Sequence, residues 1–511
     1  MLEIKDLTVE TTNKPLVHKL NLILNEKDKI AIIGEEGNGK STLLRTIHNR
    51  KEVEEYCSVT GDIYKEGLLI GYLEQSLDSS WNDIPVDEYF LKNMPSDEID
   101  YEKYNELSDI FKKFSKLNIS TEILNSEQKI RTLSGGEKVK IQMAKIFVQN
   151  PDILLLDEPT NDLDIETLEW LEDFICNENI PILFVSHDET LLEKTANAIL
   201  HMERIKSKNL ARNTFKKIDY KTYVEQREKE LLKQEQLSKM DTREYRNSKK
   251  EVSHQKSTVR SAQINIKDST IRRLLNKKMK NVMIREKRLN EKERINKPET
   301  EDPIHISFSQ EVLIPNNRKI LELYLENLSV GEKELANNIE LTVIGPKKIG
   351  LIGDNGIGKT ILLKNIWEIL NLKDNLNVGY MPQKYEEVLK PNFVALDYLL
   401  QDLDGEDLDR IANYMGNMKF SWEDMNSPIS DLSHGQKAKL LILKMMLNKN
   451  NVLLLDEPTR NLSATSNPII RKILKDFKGA IISISHDRKF LKEVCDSVYK
   501  LEKMGLRKLD I

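Results

Sequence analysis

The sequence predicts an α/β protein in which two copies of one domain are joined by a long α-helical hairpin. Four sequence motifs occur twice in the same order, which indicates a duplication. Each copy contains a glycine-rich loop between an apolar strand-like run and a helix-like run, as α/β domains do. The segment between the copies, residues 204–302, contains no glycine and is rich in helix-forming residues.

The length of 511 residues corresponds to three or four domains of roughly 100–200 residues each. Charged residues make up 32% of the chain, and its longest apolar runs are far shorter than the ~18 residues of a membrane-spanning helix. The N-terminal sequence lacks the pattern of a signal peptide. Three widely spaced cysteines predict neither a disulfide framework nor a metal cluster. We therefore expect a soluble, cytoplasmic protein without membrane contact.

The spacing of the paired motifs defines the domains. Asp157 and Asp456 are 299 residues apart, whereas Lys40 and Lys359 are 319 apart, so the first copy carries 20 more residues between its first two motifs. We predict a first domain over 1–203, a linker over 204–302 and a second domain over 303–511. The pairs are GEEGNGKS (34–41) and GDNGIGKT (353–360), LSGGE (133–137) and LSHGQ (432–436), ILLLDEPTNDLD (153–164) and VLLLDEPTRNLS (452–463), and LFVSHD (183–188) and ISISHD (482–487).

The linker is predicted to form two helices, over 219–250 and 269–295, with a tip at about 247–268. Residues 204–302 hold 29 Lys and Arg against 15 Asp and Glu, a balance of +14, while the rest of the chain carries −19. The net charge of −5 therefore conceals a basic hairpin on an acidic body, a pattern typical of polyanion binding. A solvated spacer is the alternative, but a spacer requires neither this length nor this charge.

The glycine-rich loops match the phosphate-binding consensus GxxxxGK[ST] between a strand and a helix. Glycines allow backbone N–H groups to surround phosphate, the lysine reaches the β- and γ-phosphates, and the hydroxyl binds magnesium. The predicted residues are Gly34, Gly37, Gly39, Lys40, Ser41 and Thr42 in the first copy, and Gly353, Gly356, Gly358, Lys359 and Thr360 in the second.

Two consecutive carboxylates end an apolar strand in each copy. Phosphoryl transfer requires a metal ligand and a group that orients water, and these two carboxylates can supply both. We predict Ser41 with Asp157, and Thr360 with Asp456, as the magnesium ligands. Helix capping is the structural alternative for such an aspartate. The predicted catalytic residues are Glu158, Glu457, His187 and His486, and the predicted sensors of metal and water are Gln75 and Gln383.

This order of phosphate loop, glutamine, LSGGE-type signature, LLLDEP and histidine resembles the ATP-binding cassette (ABC) superfamily. The resemblance implies two P-loop ABC ATPase domains in tandem, which form a sandwich within one monomer and bind two ATP molecules with Mg²⁺. It places Lys40 opposite Ser433 and Gly435 of the second signature. It likewise places Lys359 opposite Ser134 and Gly136 of the first signature, and it includes Gly135 among the ATP-binding residues.

Two such domains with a charged helical linker and no membrane segment resemble the ABC-F family of ATPases that act in translation. In that family the linker enters the ribosomal E site and points toward the peptidyl-transferase centre. This implies that the 70S ribosome is the partner, through the 50S subunit, 23S rRNA and P-site tRNA. LSHGQ and DEPTRNLS, with Arg460, Asn461 and Ser463, resemble the members that protect ribosomes from lincosamides, pleuromutilins and streptogramins A.

Three other functions are compatible with the motifs: a housekeeping ABC-F translation factor that acts on tRNA, the ATPase subunit of a drug exporter, and a DNA-repair ATPase. The exporter hypothesis gives no role to the basic hairpin. The repair hypothesis requires longer coiled coils or zinc-binding cysteines. The sequence also departs from the superfamily, because neither residues 9–16 nor 329–335 contain an aromatic residue for adenine, and His434 replaces a signature glycine.

Overall fold

The protein is described by a computed structural model that covers residues 1–11, 14–99, 128–205, 210–264, 269–291, 313–331, 333–373, 375–401, 408–460, 462–464 and 466–509. The chain divides into two compact units. One consists of Met1–Tyr220 together with Asp302–Ile511, and the other of Lys221–Glu301. Within the described ranges, no helix is both long and apolar enough to cross a membrane.

The first domain is built on a six-stranded sheet of order β5-β6-β7-β3-β8-β9 and a three-stranded antiparallel sheet of order β2-β1-β4. Its strands are β1 (Leu2–Thr11), β2 (Lys14–Leu24), β3 (Lys29–Ile33), β4 (Ser58–Tyr64), β5 (Ile70–Leu73), β6 (Ile153–Asp157), β7 (Ile182–Val185), β8 (Ala198–Ile205) and β9 (Leu210–Lys216). Its described helices are α1 (Lys40–His48), α2 (Arg50–Glu54), α3 (Val86–Leu91), α4 (Gly135–Val148), α5 (Ile165–Asn177) and α6 (Glu189–Thr195).

The linker contributes α7 (Tyr220–Ile264) and α8 (Ser269–Glu291). The second domain has strands β10 (Lys319–Val330), β11 (Lys333–Ile344), β12 (Lys348–Gly353), β13 (Val378–Met381), β14 (Val452–Asp456), β15 (Ala480–Ile484), β16 (Ser497–Glu502) and β17 (Gly505–Leu509). Its described helices are α9 (Lys359–Asn371), α10 (Ala395–Leu400), α11 (Leu408–Asn417), α12 (Trp422–Asn426), α13 (His434–Leu447), α14 (Asn467–Asp476) and α15 (Arg488–Val494).

The second domain repeats the first. Its six strands follow the equivalent order β13-β14-β15-β12-β16-β17, with β10 and β11 in a separate antiparallel pair. In both large sheets the first five strands are parallel and the last pair is antiparallel. Every residue of β3, β6, β14 and β15 is buried, which explains their continuous apolar runs. The predicted tandem α/β fold is confirmed.

The extra residues of the first copy are partly explained by α2 and β4. These elements lie between α1 and β5, whereas the described chain of the second domain leads from α9 to β13. β4 pairs antiparallel with β1 and so adds a third strand to the smaller sheet. The other nine extra residues fall between Gln75 and Ser134, a stretch in which residues 100–127 lie outside the described residues.

The first domain extends beyond residue 203, the end expected from composition. β9 pairs antiparallel with β8 in the large sheet, and the compact unit reaches Tyr220. Two basic residues of this stretch form ion pairs with carboxylates of the first domain. Arg212 lies 2.9 Å from Glu203, and Lys217 lies 2.8 Å from Asp28. Because these residues are positively charged, the sequence predicted them to be part of the basic linker. In the structure they instead pair with acidic residues of the first domain.

The linker unit is an antiparallel helical hairpin. Lys256 of α7 lies 2.6 Å from Glu286 of α8, and Glu251 lies 3.1 Å from Arg285. The tip predicted at about 247–268 is wrong over most of its length, because α7 is helical through Ile264; residues 265–268 lie outside the described residues. Polar side chains in this stretch form hydrogen bonds with backbone carbonyl groups of the helix and do not interrupt it. For example, Thr258 Oγ1 donates to the carbonyl four residues earlier at 2.8 Å.

Candidate functional site

Each phosphate loop joins a buried central strand to a helix, β3 to α1 and β12 to α9. The loop conformation requires glycine. Gly34 has φ +149° and Gly39 has φ +86°, both unfavourable for other residues. A Cβ on Gly34 would lie 2.2 Å from the Met202 carbonyl oxygen, and one on Gly39 would lie 2.8 Å from Leu16 Cβ. The backbone therefore approaches its neighbours too closely for a side chain.

The loop lysines lie at the centre of these loops. Lys40 Nζ donates to the carbonyl oxygens of Gly34 and Glu35 at 2.9 and 3.1 Å. Lys359 Nζ makes the same two bonds with the first two residues of its own loop, at 2.7 and 3.0 Å. Burial lowers the pKa of both ammonium groups, which are nevertheless surrounded by carboxylates. This arrangement provides a positive centre for a phosphate chain.

The residues predicted to bind magnesium are brought together in both domains. Ser41 Oγ lies 2.9 Å from Asp157 Oδ1, and Thr360 Oγ1 lies 2.8 Å from Asp456 Oδ2. Each aspartate is buried at the end of its strand, and burial raises its pKa. A hydroxyl and a carboxylate adjacent to a phosphate loop are the oxygen donors that Mg²⁺ prefers. The donor set therefore fits this ion.

The glutamate that follows each aspartate faces the predicted histidine. His187 Nε2 lies 2.9 Å from Glu158 Oε1, and His486 Nε2 lies 3.7 Å from Glu457 Oε1. Both glutamates have positive φ, 48° and 54°, a strained conformation that is often found at functional sites. In the described part of the chain, the buried Oε2 of Glu158 has no hydrogen-bond partner. That oxygen can accept a proton from a bound water molecule.

The two glutamates have opposite electrostatic environments. Burial favours a higher pKa for Glu158, but the charge and hydrogen bonds of His187 outweigh it, and the net pKa is lowered. Burial and the Asp456 charge instead raise the pKa of Glu457 to about 8. Burial, with a contribution from Lys359, lowers the pKa of His486 to about 4. The two predicted catalytic glutamates therefore lie in unequal electrostatic environments.

The signature serines begin helices. Ser134 Oγ accepts a hydrogen bond from the Glu137 N–H at 3.2 Å at the start of α4, and Ser433 Oγ accepts one from the Gln436 N–H at 3.2 Å at the start of α13. Both are capping boxes, which fix the position of a helix N-terminus. A helix N-terminus attracts anions because its first N–H groups are unpaired and its dipole end is positive.

Each phosphate loop shares a cavity with the opposite domain's signature. A cavity of about 730 Å³ joins the first loop to the second signature, and one of about 550 Å³ joins the second loop to the first signature. The first is lined among others by Gly37, Gly39, Lys40, Ser41, Thr42, Gln75, Glu158, Ser433 and His434. The second is lined among others by Gly135, Gly356, Gly358, Lys359, Thr360, Gln383, Asp456, Glu457 and His486.

Not every predicted signature residue lines a cavity. Ser134 and Gly136 belong to the first signature but do not contribute to the cavity wall. A Cβ on Gly136 would lie 2.6 Å from Thr167 Oγ1, so this glycine allows α4 to pack against α5. The Gly435 N–H donates to Glu36 Oε2 at 2.8 Å and thereby joins the second signature to the first phosphate loop.

Two acidic residues of the first phosphate loop were missed because they occupy variable positions of the consensus. Besides the Glu36 contact, Glu35 Oε1 lies 2.9 Å from Lys419 Nζ and 3.1 Å from Ser466 Oγ, both in the second domain. The sequence did contain a signal, since the first loop reads GEEG where the second reads GDNG. Consecutive acidic residues in a loop that binds anions indicate that their charge is balanced by hydrogen-bond donors outside the loop, here Lys419 for Glu35 and the Gly435 N–H for Glu36.

Aliphatic residues replace the expected aromatic residue near each loop. Leu16 lines the larger cavity and packs against Gly39, while Leu335 packs against the equivalent Gly358. Because Leu16 and Leu335 are 319 residues apart, as are the loop lysines, they are equivalent positions of the duplication. A nucleobase packed on Leu16 or Leu335 would contact an aliphatic side chain at the position where an aromatic residue was expected.

Comparison with known proteins agrees with this geometry. The family profile described as ABC transporter matches residues 17–161 and 336–460, which together cover more than half of the chain. The chain also has the fold of a crystallised archaeal ribosome recycling factor, aABCE1, solved in complex with ribosomal stalk protein aP1. The TM-score is 0.59 at 16% identity, over 98% of this chain and 90% of that chain.

Relatives align along almost the whole sequence. The ATP-binding protein YdiF of Bacillus subtilis is 28% identical over 98% of this chain and 80% of its own length. ABC transporter F family member 2 of Arabidopsis thaliana is 26% identical over 94% and 73%, and the ribosome protection protein VmlR of Bacillus subtilis is 26% identical over 98% and 87%. The chain therefore belongs to the ABC transporter family, and it is an ATPase of the ABC-F type.

Proposed function

We propose that this ABC-F ATPase binds the 70S ribosome near the E site in its ATP-bound closed form. We further propose that it protects the peptidyl-transferase centre from antibiotics by displacing the drug. The basic helical hairpin between the two ATPase domains is the observation on which the proposal rests. A protein that only binds and hydrolyses ATP has no use for this element.

The hairpin exposes many positive side chains along both helices. These cations can neutralise RNA phosphates, so binding should weaken as salt concentration rises. Exposed basic residues near the far end of the hairpin are Arg246, Lys249, Lys250 and Arg260 on α7, and Arg272, Arg273, Lys277, Lys278 and Lys280 on α8. The proposed RNA targets are 23S rRNA and the P-site tRNA.

The drug-protection part of the proposal has two supports. The relative VmlR, which aligns with 98% of this chain, is named a ribosome protection protein. The second signature, LSHGQ, and the motif that contains Arg460 resemble those of resistance members. Arg460 also contributes to the domain interface, where its guanidinium lies 2.7 Å from Asp162.

The proposal gives each of these groups a role in ATP hydrolysis. Lys40 and Lys359 would neutralise the β- and γ-phosphates, and the hydroxyl–aspartate pairs would hold Mg²⁺, which, when bound, supplies further charge neutralisation. Glu158 and Glu457 orient a water molecule, whose oxygen bonds to the γ-phosphorus while its proton passes to the carboxylate. The bond to the ADP oxygen breaks, and phosphate and ADP leave. The opposite signature then loses its phosphate contact, so the domains can separate.

The central experiment combines Glu158→Gln with Glu457→Gln. This double variant should bind ATP without hydrolysing it and should co-sediment with 70S ribosomes when ATP is present. The matched control is Lys40→Ala with Lys359→Ala, which removes the phosphate-binding cations and should not co-sediment. Absence of the Glu→Gln double variant from the ribosome pellet in ATP would refute ribosome binding in the closed form.

Drug protection requires a separate test, because a ribosome-bound ATPase need not affect drugs. Minimum inhibitory concentrations for drugs that act on the 50S subunit should rise when the gene is expressed. Neutralising Arg272, Arg273, Lys277 and Lys278 to Gln should remove this protection while ATPase activity persists. The control neutralises four equally exposed basic residues of α7 further from the turn: Lys229, Lys233, Lys239 and Arg243. Equal protection by both variants would contradict a role for the hairpin end.

A housekeeping translation factor is the second candidate. YdiF, at 28% identity, is at least as similar to this chain as VmlR is at 26%, and its name does not mention ribosome protection. This function predicts ribosome binding and altered translation without any change in drug sensitivity. The same panel of inhibitory concentrations therefore distinguishes the two candidates.

A further inference from the structure

A cluster of buried ion pairs joins the two ATPase domains, and two of its members, Glu189 and Arg488, each follow a predicted catalytic histidine by two residues. Arg471 of α14 makes a bidentate contact with Glu189 of α6, at 2.7 and 3.3 Å. Arg488 of α15 contacts Glu172 of α5 through both terminal nitrogens, one of them at 3.2 Å. Arg471, Glu172 and Glu189 are only 3%, 3% and 7% exposed, so these contacts are largely shielded from solvent.

The four residues occupy only two positions of the duplicated domain. Glu172 and Arg471 are 299 residues apart, and so are Glu189 and Arg488. This is the offset of the strand-end aspartates, so the members of each pair are structurally equivalent. Both positions are acidic in the first domain and basic in the second, and each contact joins one position to the other across the interface.

The supporting residues follow the same inversion. Lys194 lies 2.6 Å from Glu172 within the first domain, and Glu493 lies 2.9 Å from Arg471 within the second. Lys194 and Glu493 are again 299 residues apart and opposite in charge. Ordinary divergence of a solvated surface does not produce three positions that each reverse sign and retain their partners.

The inversion has a consequence for which domains can pair. If two first domains met through this face, Glu172 would approach Glu189 of the other copy, and carboxylates would be buried against each other. Two second domains would bring arginines together in the same way. Breaking a buried ion pair is strongly unfavourable, and like charges in the wrong pairing are a recognised source of specificity. Only a first domain against a second domain satisfies all four charges.

We propose that this charge-inverted cluster selects the pairing of the first domain with the second and excludes the pairing of equivalent domains from two chains. Interface specificity of this kind is independent of the proposed action on ribosomes. It ensures that each nucleotide cavity combines the loop of one domain with the signature of the other domain.

Charge exchange in the full-length chain tests the proposal. A first-domain variant carries E172R, E189R and K194E, and a second-domain variant carries R471E, R488E and E493K. Each variant retains an ion pair within its own domain but places like charges against each other across the interface. The exchanged variant carries all six changes. We expect at least a tenfold loss of ATPase activity in each half-variant, with a larger radius of gyration in solution scattering. In the exchanged variant we expect activity within a few-fold of the parent.

Mixing the two half-variants gives a sharper test. One chain then carries only basic residues at the two positions and the other only acidic residues, so domains can pair between chains. We expect ATPase activity to return on mixing, together with a complex of twice the mass of one chain in light scattering. Unchanged activity of the half-variants would overturn the proposal. An exchanged variant that melts like the parent but is no more active than the half-variants would also overturn it.

A milder set of variants covers the case in which charge reversal prevents folding. A double-mutant cycle compares Glu189→Gln, Arg471→Gln and the double substitution. The cycle isolates the contact that these two residues make with each other across the domain interface. We expect the double variant to lose no more activity than the worse single variant. Losses that simply multiply would show that the two residues act independently and would refute the proposal.

Discussion

Substituting Gly34 by alanine should be one of the most damaging single changes in the first phosphate loop. The new Cβ would lie 2.2 Å from the Met202 carbonyl oxygen, where ordinary contacts are 3.4–4 Å, and φ is +149°. Overpacking of this kind costs roughly 1–3 kcal/mol, and holding alanine in an unfavourable backbone region costs about 1–3 kcal/mol more. The two effects together destabilise the native loop by ~2–6 kcal/mol. Movement of the loop would relieve part of this strain, and the moved loop should bind nucleotide more weakly at the larger cavity.

Two other glycines provide matched controls. Gly37 has φ +71°, but no atom lies within 4 Å of the position that its Cβ would take, so alanine there should cost only about 1 kcal/mol of backbone energy. A Cβ on Gly353 would lie 2.8 Å from the Leu501 carbonyl oxygen, which predicts an intermediate effect. The assay is the urea midpoint of unfolding together with the affinity for a fluorescent ATP analogue. Equal midpoints for Gly34→Ala and Gly37→Ala would refute the argument from close approach.

Three further predictions concern charge. Glu36→Gln should increase ATP affinity about fivefold, or roughly 1 kcal/mol, because it removes a carboxylate from the larger cavity. An unchanged affinity in an ATP titration, or an equal gain in the exposed control Glu66→Gln, would contradict this prediction. Chelation of Mg²⁺ should abolish ATPase activity, and added Mg²⁺ should restore it; activity that survives chelation would exclude the hydroxyl–aspartate pairs as metal ligands. Burial favours a higher pKa for Glu172, but Arg488 and Lys194 outweigh it and lower the pKa below 4.5. Its stabilising effect is thus complete above pH 4.5 and lost as pH falls through the lowered value, so the melting temperature should fall more steeply in acid than that of Glu172→Gln.

Much of the site was predictable because its chemistry depends on residue types at fixed local spacing. Lys40, Ser41 and their equivalents follow a strand by a short loop, so a local pattern is sufficient to predict where they lie. Asp157 is 116 residues from Ser41, yet its place at the end of an apolar strand led to the prediction that both residues bind the same magnesium ion. The 2.9 Å contact between them agrees with that reasoning.

The errors have physical reasons as well. The domain boundary was placed too early because charge alone does not distinguish a basic linker from basic residues that pair with their own domain, as Lys217 does with Asp28. The hairpin tip was placed too early because serine, threonine and asparagine favour turns in short peptides. In α7 the hydroxyls of Thr258 and Ser261 donate to helical carbonyl groups instead, and Lys256 forms an ion pair with Glu286 of α8.

By itself, the sequence determined the duplicated fold, the ATPase chemistry and the basic character of the linker, because each depends on motifs or on composition along the chain. The tertiary structure alone decided how the two halves recognise each other. Glu35 reaches Lys419, and Glu189 reaches Arg471, across separations of 384 and 282 residues. Such contacts are fixed by the relative placement of whole domains. No local pattern reveals them, although the 299-residue repeat explains their symmetry once the contacts are known.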